Sequence, residues 1–264
     1  MAPKETEMKI EPIQAVERAL QILELLSKHG SLGLNEIHKL MKINKASLLR
    51  LCYTLTEQGY ISKQEDTGIY SLTLKSYEIG LHAVQNLDKM SLISATLVDL
   101  SETTGRIAQF SVEDNNQLLC LQSIGQKTNL FSVYTNPGER SPLYCTSAGK
   151  ALLSAYPNTE ILSKWEHMDV KPLTRHTITD VQDLLEDISL TRQRGYALDN
   201  EENEYNLCCI GTIVRGQTGV PVGAVSLSGS VFKDEKEIQQ IADILLPAVN
   251  RLSGMMGYIH TSRL

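Results

Sequence analysis

Residues 12–74 hold three helical patterns followed by a hairpin pattern, and no other feature limits the possible folds of this chain as strongly. The segment QAVERALQILELLSKHG places Val16, Ala19, Leu20, Leu23 and Leu26 at helical spacing and ends in Gly30. LNEIHKLM then reads as a short helix through Leu34, Ile37 and Leu40 or Met41. After a break at Ile43-Asn44, KASLLRLCYTLTEQG sets Leu48, Leu51, Cys52 and Leu55 at i, i+3, i+4 and i+7, which is one buried helix face. The opposite face carries Ser47, Arg50 and Thr54, with Lys45 at the N-terminal end. YISKQEDTGIYSLT supplies two short β-like runs around an Asp-Thr-Gly turn. Three helices and a hairpin make a winged helix-turn-helix, whose third helix is sized for the DNA major groove.

Charge points the same way. The whole chain of 264 residues has a net charge of −6, yet six Lys or Arg stand against two acids between Lys28 and Lys63. A basic element inside an acidic chain suits a small DNA-reading domain fused to a neutral or acidic body. Lys45, Ser47, Arg50 and Thr54 are the expected contacts: Arg pairs bidentately with guanine, Ser and Thr serve bases or phosphates, and Lys supplies charge. A solvated surface face would use the same residue types. The preceding short helix, the hairpin and the local charge decide for double-stranded DNA.

Beyond residue 74, LKSYEIGLHAVQN reads as a linker helix over 75–88, and residues 89–260 form a second domain. KMSLISATLVDLSETTG is an amphipathic helix; IAQFSVE, QLLCLQSIG and NLFSVYT are strand-like; TSAGKALLSAY, TEILSKWEHM and VQDLLEDISLTRQRG are helical. YALDNEE, LCCIGTIVRG and VPVGAVSLSGS return to strands. A last helix carries Ile238, Ile241, Leu245, Val249 and Leu252, with Pro247 expected to bend it. The fold class is therefore α+β, with a mostly antiparallel sheet flanked by helices in the second domain. No run of about 18 apolar residues occurs and no secretory h-region opens the chain, so a cytoplasmic protein without a membrane span is expected.

The stretch LDNEENEYNLCCIG runs four carboxylates into two adjacent cysteines. Neighbouring residues on a strand point to opposite faces, so Cys208 and Cys209 cannot readily share a metal ion. A cysteine nucleophile needs a base, and the six histidines stand at no recognisable spacing. Neither a catalytic residue nor a metal nor a cofactor is implied. A core thiol, a pocket-lining thiol, a redox-sensing regulator and a cysteine-dependent enzyme are the readings in play.

YCTSAGKALL fails the phosphate-loop pattern, because position 144 is Tyr and position 151 is Ala. Thr146 or Ser147 suits a helix N-cap, which would leave N–H groups near Ser147 and Ala148 as a seat for a carboxylate. An ordinary capped helix accounts for those residues equally well. In AVSLSGS, Ser226 and Ser228 share one strand face, lining a cavity or facing solvent.

Six segments in order, AVERALQILELL, KASLLRLCYTLTEQGYI, YSLTLKSYEIG, SPLYCTSAGKALL, RGYALDNEE and VGAVSLSGS, resemble the IclR family of bacterial transcriptional regulators across about residues 13–258. YSLTLKSYEIGLHAVQN, SPLYCTSAGK, RHTIT and MMGY are similar to the branch controlling pectin and sugar-acid catabolism, typified by the 2-keto-3-deoxygluconate repressor. The resemblance implies a winged helix-turn-helix joined by a helix to an effector-binding domain, in a homodimer often paired into a tetramer on operator DNA. It implies a small-molecule effector, a carboxylate or sugar acid. Carried onto this chain, the effector-binding positions are Ser147 and Ala148, Asp199, Leu207 and Cys209, and Ser226 and Ser228. Leu130 and Val133 are apolar wall positions. The chain departs from the family at Asn206, where Gly is usual, and at Gly211-Thr212-Ile213-Val214 in place of Ala-x-Pro-Val. A hydroxyl at Ser141, where an apolar residue is common, would suit a more hydroxylated effector. On this resemblance Cys209 lines the pocket and Cys208 packs on the other face.

Overall fold

A computed structural model describes residues 11–85, 90–125 and 136–259, and the chain divides into two compact units, Met1–Asp88 and Lys89–Leu264.

The first unit opens with α1 (Gln14–His29), which stops at Gly30 in a positive-φ conformation that a Cβ would disfavour. A three-residue strand, β1 (Ser31–Gly33), precedes α2 (Leu34–Met41) and α3 (Lys45–Glu57). The wing is β2 (Ile61–Lys63) and β3 (Ile69–Leu72), and α4 (Lys75–Gln85) follows. Sequence periodicity missed β1, which pairs antiparallel with β3 and completes a sheet of order β1-β3-β2. Three residues are too few to show a period, and the pairing partner lies about forty residues away. The core gathers Ile22 and Leu26 of α1, Ile37 of α2, and Leu48, Cys52 and Leu55 of α3 against Ile61 and Tyr70 of the wing. The stripe expected on α1 is corrected in part: Val16 and Leu20 are exposed, and the buried line runs through Ile22 and Leu26.

The second unit is a six-stranded antiparallel sheet of order β6-β5-β4-β9-β8-β7. Its strands are β4 (Ile107–Asp114), β5 (Gln117–Ile124), β6 (Arg140–Pro142), β7 (Ala197–Asn200), β8 (Cys208–Arg215) and β9 (Pro221–Gly229). One face packs on α5 (Met90–Thr104) and α9 (Glu235–Met255) through Phe110, Ile210, Val225 and Leu227, with Leu97, Leu245 and Leu252 opposite. The other face meets α6 (Ser147–Leu153), α7 (Asn158–Trp165) and α8 (Val181–Arg194). Sheet residues therefore alternate between two helical layers, which is why these strands lack a clean polar side. Pro247 sits inside α9. The strand expected at 129–135 lies outside the described residues. Among the described residues no helix is long and apolar enough to cross a membrane.

A candidate effector cavity and a nucleic-acid face

The cavity in the second unit follows from strand register. Asp199 lies opposite Cys209, and Cys209 opposite Ser228. Ser226 lies between Gly211 on one side and Gln109 on the other. These positions share one sheet face, the face that α6 covers. Gly211 permits the close approach: a Cβ there would lie 2.9 Å from the Ser147 carbonyl carbon and 3.0 Å from the Ala148 nitrogen. Its place in the departure Gly211-Thr212-Ile213-Val214 thus has a packing reason. Thr146 is the N-cap of α6, accepting from the Gly149 N–H at 3.3 Å.

Between sheet and helix is a cavity of about 40 Å³. Its lining brings together Ser147, Ala148, Asp199, Leu207, Cys209, Ser226 and Ser228. Leu130 and Val133 fall outside the described residues. Sequence reading alone did not identify Gln109, Ser111, Cys120, Asn203 and Glu204, which line the same space, as does Ser141. Gln109 and Ser111 sit on β4 with an ordinary alternating pattern, so nothing local marks them as facing a cavity.

The lining is polar and partly connected. Ser228 donates to Gln109 Oε1 at 3.1 Å. Among the described residues Ser147 Oγ is buried without a hydrogen-bond partner, a state that costs free energy until something supplies one. No lysine or arginine lines the cavity among the described residues. Of the two acids in the lining, Asp199 and Glu204, Asp199 is buried and accepts the N–H groups of Glu202 (2.8 Å) and Asn203 (3.4 Å) on Oδ1. Burial, and then the nearby Glu202 charge, push the Asp199 pKa up to about 7.

Behind Asp199 is a charge cluster that sequence reading did not find. Lys150, fully buried on α6, lies 2.5 Å from Glu202 Oε1 and 2.9 Å from Asp187 Oδ2 on α8. The Asp187 contact is an ion pair not aligned as a hydrogen bond. Burial alone would lower the Lys150 pKa, and the two carboxylates outweigh it to leave it raised. Its partners lie 37 and 52 residues away in sequence, with no pattern to connect them.

The cysteines occupy separate settings. Cys209 faces the cavity, while Cys208 donates from Sγ to Asn200 Oδ1 at 3.1 Å. All five are free and buried, and burial raises the pKa of each. Among the described residues no cluster of three metal-binding side chains occurs. Asn206 has φ of +63°, the left-handed region that Gly favours and Asn tolerates, which accounts for that departure.

In the first unit, Asn44 caps α3 by accepting from the N–H groups of Ala46 (2.7 Å) and Ser47 (3.4 Å). Lys45, Arg50 and Thr54 are exposed along α3, and Ser47 is half-buried. Ser47 turns toward a groove shared with α1. The Thr54 hydroxyl donates to the Arg50 carbonyl at 2.9 Å. Leu49 and Tyr53, which sequence reading passed over, are exposed on the side facing the wing.

Known proteins agree with both halves. Residues 15–65 match the IclR helix-turn-helix domain, and residues 81–254 match the bacterial transcriptional regulator IclR C-terminal domain. The HTH-type transcriptional regulator KdgR of Escherichia coli (strain K12) is 29% identical over 98% of each chain. The HTH-type transcriptional regulator XynR of the same organism is 32% identical, across 93% of this chain and 98% of its own. The solved Thermotoga maritima IclR superposes with a TM-score of 0.78 at 26% identity, covering 92% of this chain and 98% of that one. The chain, its N-terminal helix-turn-helix and C-terminal antiparallel sheet in place, belongs to the IclR family of DNA-binding transcriptional regulators and is not an enzyme.

Proposed function

We propose that this regulator binds a small hydroxylated carboxylate in the cavity between α6 and the sheet, and that the ligand tunes its affinity for a palindromic operator. The observation that carries the reading is Ser147 Oγ, buried and, among the described residues, unpartnered at the wall of a cavity that Ser226, Ser228 and Asp199 also line. An occupant with several hydroxyl or carboxylate oxygens supplies the missing partners. With no cation in the described lining, a carboxylate is held by hydroxyls and by Asp199 in its protonated form, because two ionised carboxylates would repel.

Size adds a constraint. A cavity of about 40 Å³ has room for roughly three water-sized groups, at about 10–15 Å³ each. A two- or three-carbon keto acid fits with little movement. A six-carbon sugar acid, the class to which the sequence resemblance points, enters only as the wall opens. Such a ligand favours one arrangement of the domain over another, and differential binding of this kind is what shifts DNA affinity. The name KdgR carried by two relatives supports placing the chain beside that branch, with repression of carbohydrate or sugar-acid catabolic genes as its role.

On the DNA side, we assign contacts to Lys45, Ser47, Arg50 and Thr54, with Ser47 the most peripheral. Self-association into a homodimer, and pairs of dimers into a tetramer, is supported by apolar surface left open on the first unit. Ile13, Val16 and Leu20 of the α1 region and Leu74 and Tyr77 around α4 are all exposed. A protein acting on chromosomal DNA works in the cytoplasm.

The test is the melting temperature of the full chain against short keto acids and six-carbon hydroxylated acids. A ligand at a hundred times its Kd stabilises by about 2.7 kcal/mol, which raises Tm by about 5–10 °C for a unit of this size. The double variant Ser226→Ala with Ser228→Ala keeps DNA binding and loses the shift. A shift that survives in the double variant places the ligand elsewhere.

A further inference from the structure

We infer that Leu49 and Tyr53 on α3 read thymine methyl groups in the major groove, and so set which bases flank the one that Arg50 contacts. This rests on α3 being the helix that enters the groove.

Leu49 and Tyr53 are 49% and 64% exposed, large values for apolar side chains in the middle of a helix. The buried side of α3 is taken by Leu48, Cys52 and Leu55. Spacing of three and four residues therefore aligns Leu49, Arg50, Tyr53 and Thr54 on the outward side. Leu49 and Tyr53 form one wall of an open cleft whose other wall is the wing, with Lys63 and Tyr70. The Lys63 ammonium lies 5.9 Å from the centre of the Tyr70 ring, which holds a positive charge at the cleft rim.

Lys45, Arg50 and Lys63 surround the apolar pair with cations, so the occupant that fits is a polyanion presenting apolar groups between its charges. Duplex DNA does this in one place: the thymine C5-methyl is the apolar group on the base edges of the major groove. The polar residues that would otherwise read bases are less free to do so. Ser47 is half-buried toward α1, and the Thr54 hydroxyl proton is engaged by the Arg50 carbonyl.

Spacing turns this into a pattern. Leu49 and Tyr53 are four residues apart, about 6 Å along the helix, or roughly two base steps of 3.4 Å. Arg50 lies between them in sequence and beside Tyr53 on the helix surface, lining the same cleft. The predicted half-site has a guanine flanked by thymines within about two steps, on either strand.

The experiment starts from duplexes selected out of a random-sequence pool by the full-length protein. Each thymine in the recovered half-site is then replaced singly by deoxyuridine, which removes the methyl and leaves every hydrogen-bonding group. Wild type should lose about threefold to fivefold in affinity at one or two positions, the worth of one buried methyl-sized group. Leu49→Ala and Tyr53→Ala should each become indifferent to uracil at one of these positions, while Tyr53→Phe keeps the sensitivity. Both side chains are exposed, so Tm should stay that of wild type, and Leu49→Gln serves as a second variant if Leu49→Ala alters it.

A recovered sequence whose uracil forms bind like the thymine duplex overturns the inference and leaves the DNA-reading helix standing. Uracil sensitivity that persists unchanged in both alanine variants also overturns it. A pool that yields no preferred sequence sinks the inference together with the assignment of α3 as the reading helix.

Discussion

Lys150 and Glu202 form a buried ion pair at 2.5 Å that ties α6 to the turn after β7. The Glu202 N–H in turn donates to Asp199 at 2.8 Å. Two sides of the cavity, the start of α6 and the end of β7, are thereby held to each other by one ammonium. Asp187 adds the second counter-charge, and Arg194 lies 3.6 Å from its other oxygen.

Lys150→Met should cost about 3–5 kcal/mol, since it strands the buried Glu202 carboxylate without its cation, while Asp187 keeps Arg194. Urea unfolding monitored by circular dichroism measures this. A loss below about 1 kcal/mol would mean that the acids neutralise themselves and that the pair does not hold the cavity.

Asp199 makes stability depend on pH in a stated direction. Its pKa is raised from 3.8 to about 7 in the folded chain, so the native state keeps a proton that the unfolded state has already released. The contribution is fully present below about pH 3.8 and is lost as pH rises through about 7. Its size is on the order of 4 kcal/mol at about 1.4 kcal/mol per pKa unit. Asp199→Asn keeps an oxygen for the Glu202 N–H and cannot ionise, so its stability relative to wild type should climb between pH 5 and pH 8. Parallel profiles for the two proteins would remove Asp199 from the titration. A carboxylate effector should also bind more weakly above pH 7.

Arg50→Ala should weaken operator binding by about 1–3 kcal/mol and relax the base preference at one position per half-site. Fluorescence anisotropy at fixed salt reads the loss. Unchanged affinity would move the reading surface off α3.

The thiols should be slow to react. Burial raises Cys52 and Cys120 to about 11, and holds Cys145, Cys208 and Cys209 above the usual thiol range. Iodoacetamide at neutral pH should label the folded protein only at the rate at which it opens, because the thiolate is the nucleophile. Rapid labelling of one cysteine would revive a redox-sensing regulator, and loss of DNA binding on mild peroxide would establish it.

Local periodicity carried much of the reading of this chain. Helices α1, α2 and α3 were legible because a buried face recurs at 3.6 residues, and Ser226 with Ser228 because a strand face recurs at two. Periodicity does not say which neighbour covers a face. Val16 and Leu20 fell into the apolar stripe of α1 and are exposed, since the stripe is wider than the contact it makes. Leu49 and Tyr53 lie off the buried face of α3 and drew no notice in the sequence, because an apolar residue outside the periodic stripe has no pattern to mark what it faces.

The sequence by itself determined the helices, the longer strands, their order and the family, through local spacing and motifs read along one strand or helix, while the three-residue strands β1 and β6 were too short to show a period. Tertiary structure alone decided the cavity, because Gln109, Ser147 and Asp199 come from β4, α6 and β7 and meet only when antiparallel register brings those strands under α6. It also decided that Lys150 pairs with Glu202 and Asp187, since burial and charge pairing depend on distances in space that separation along the chain does not encode.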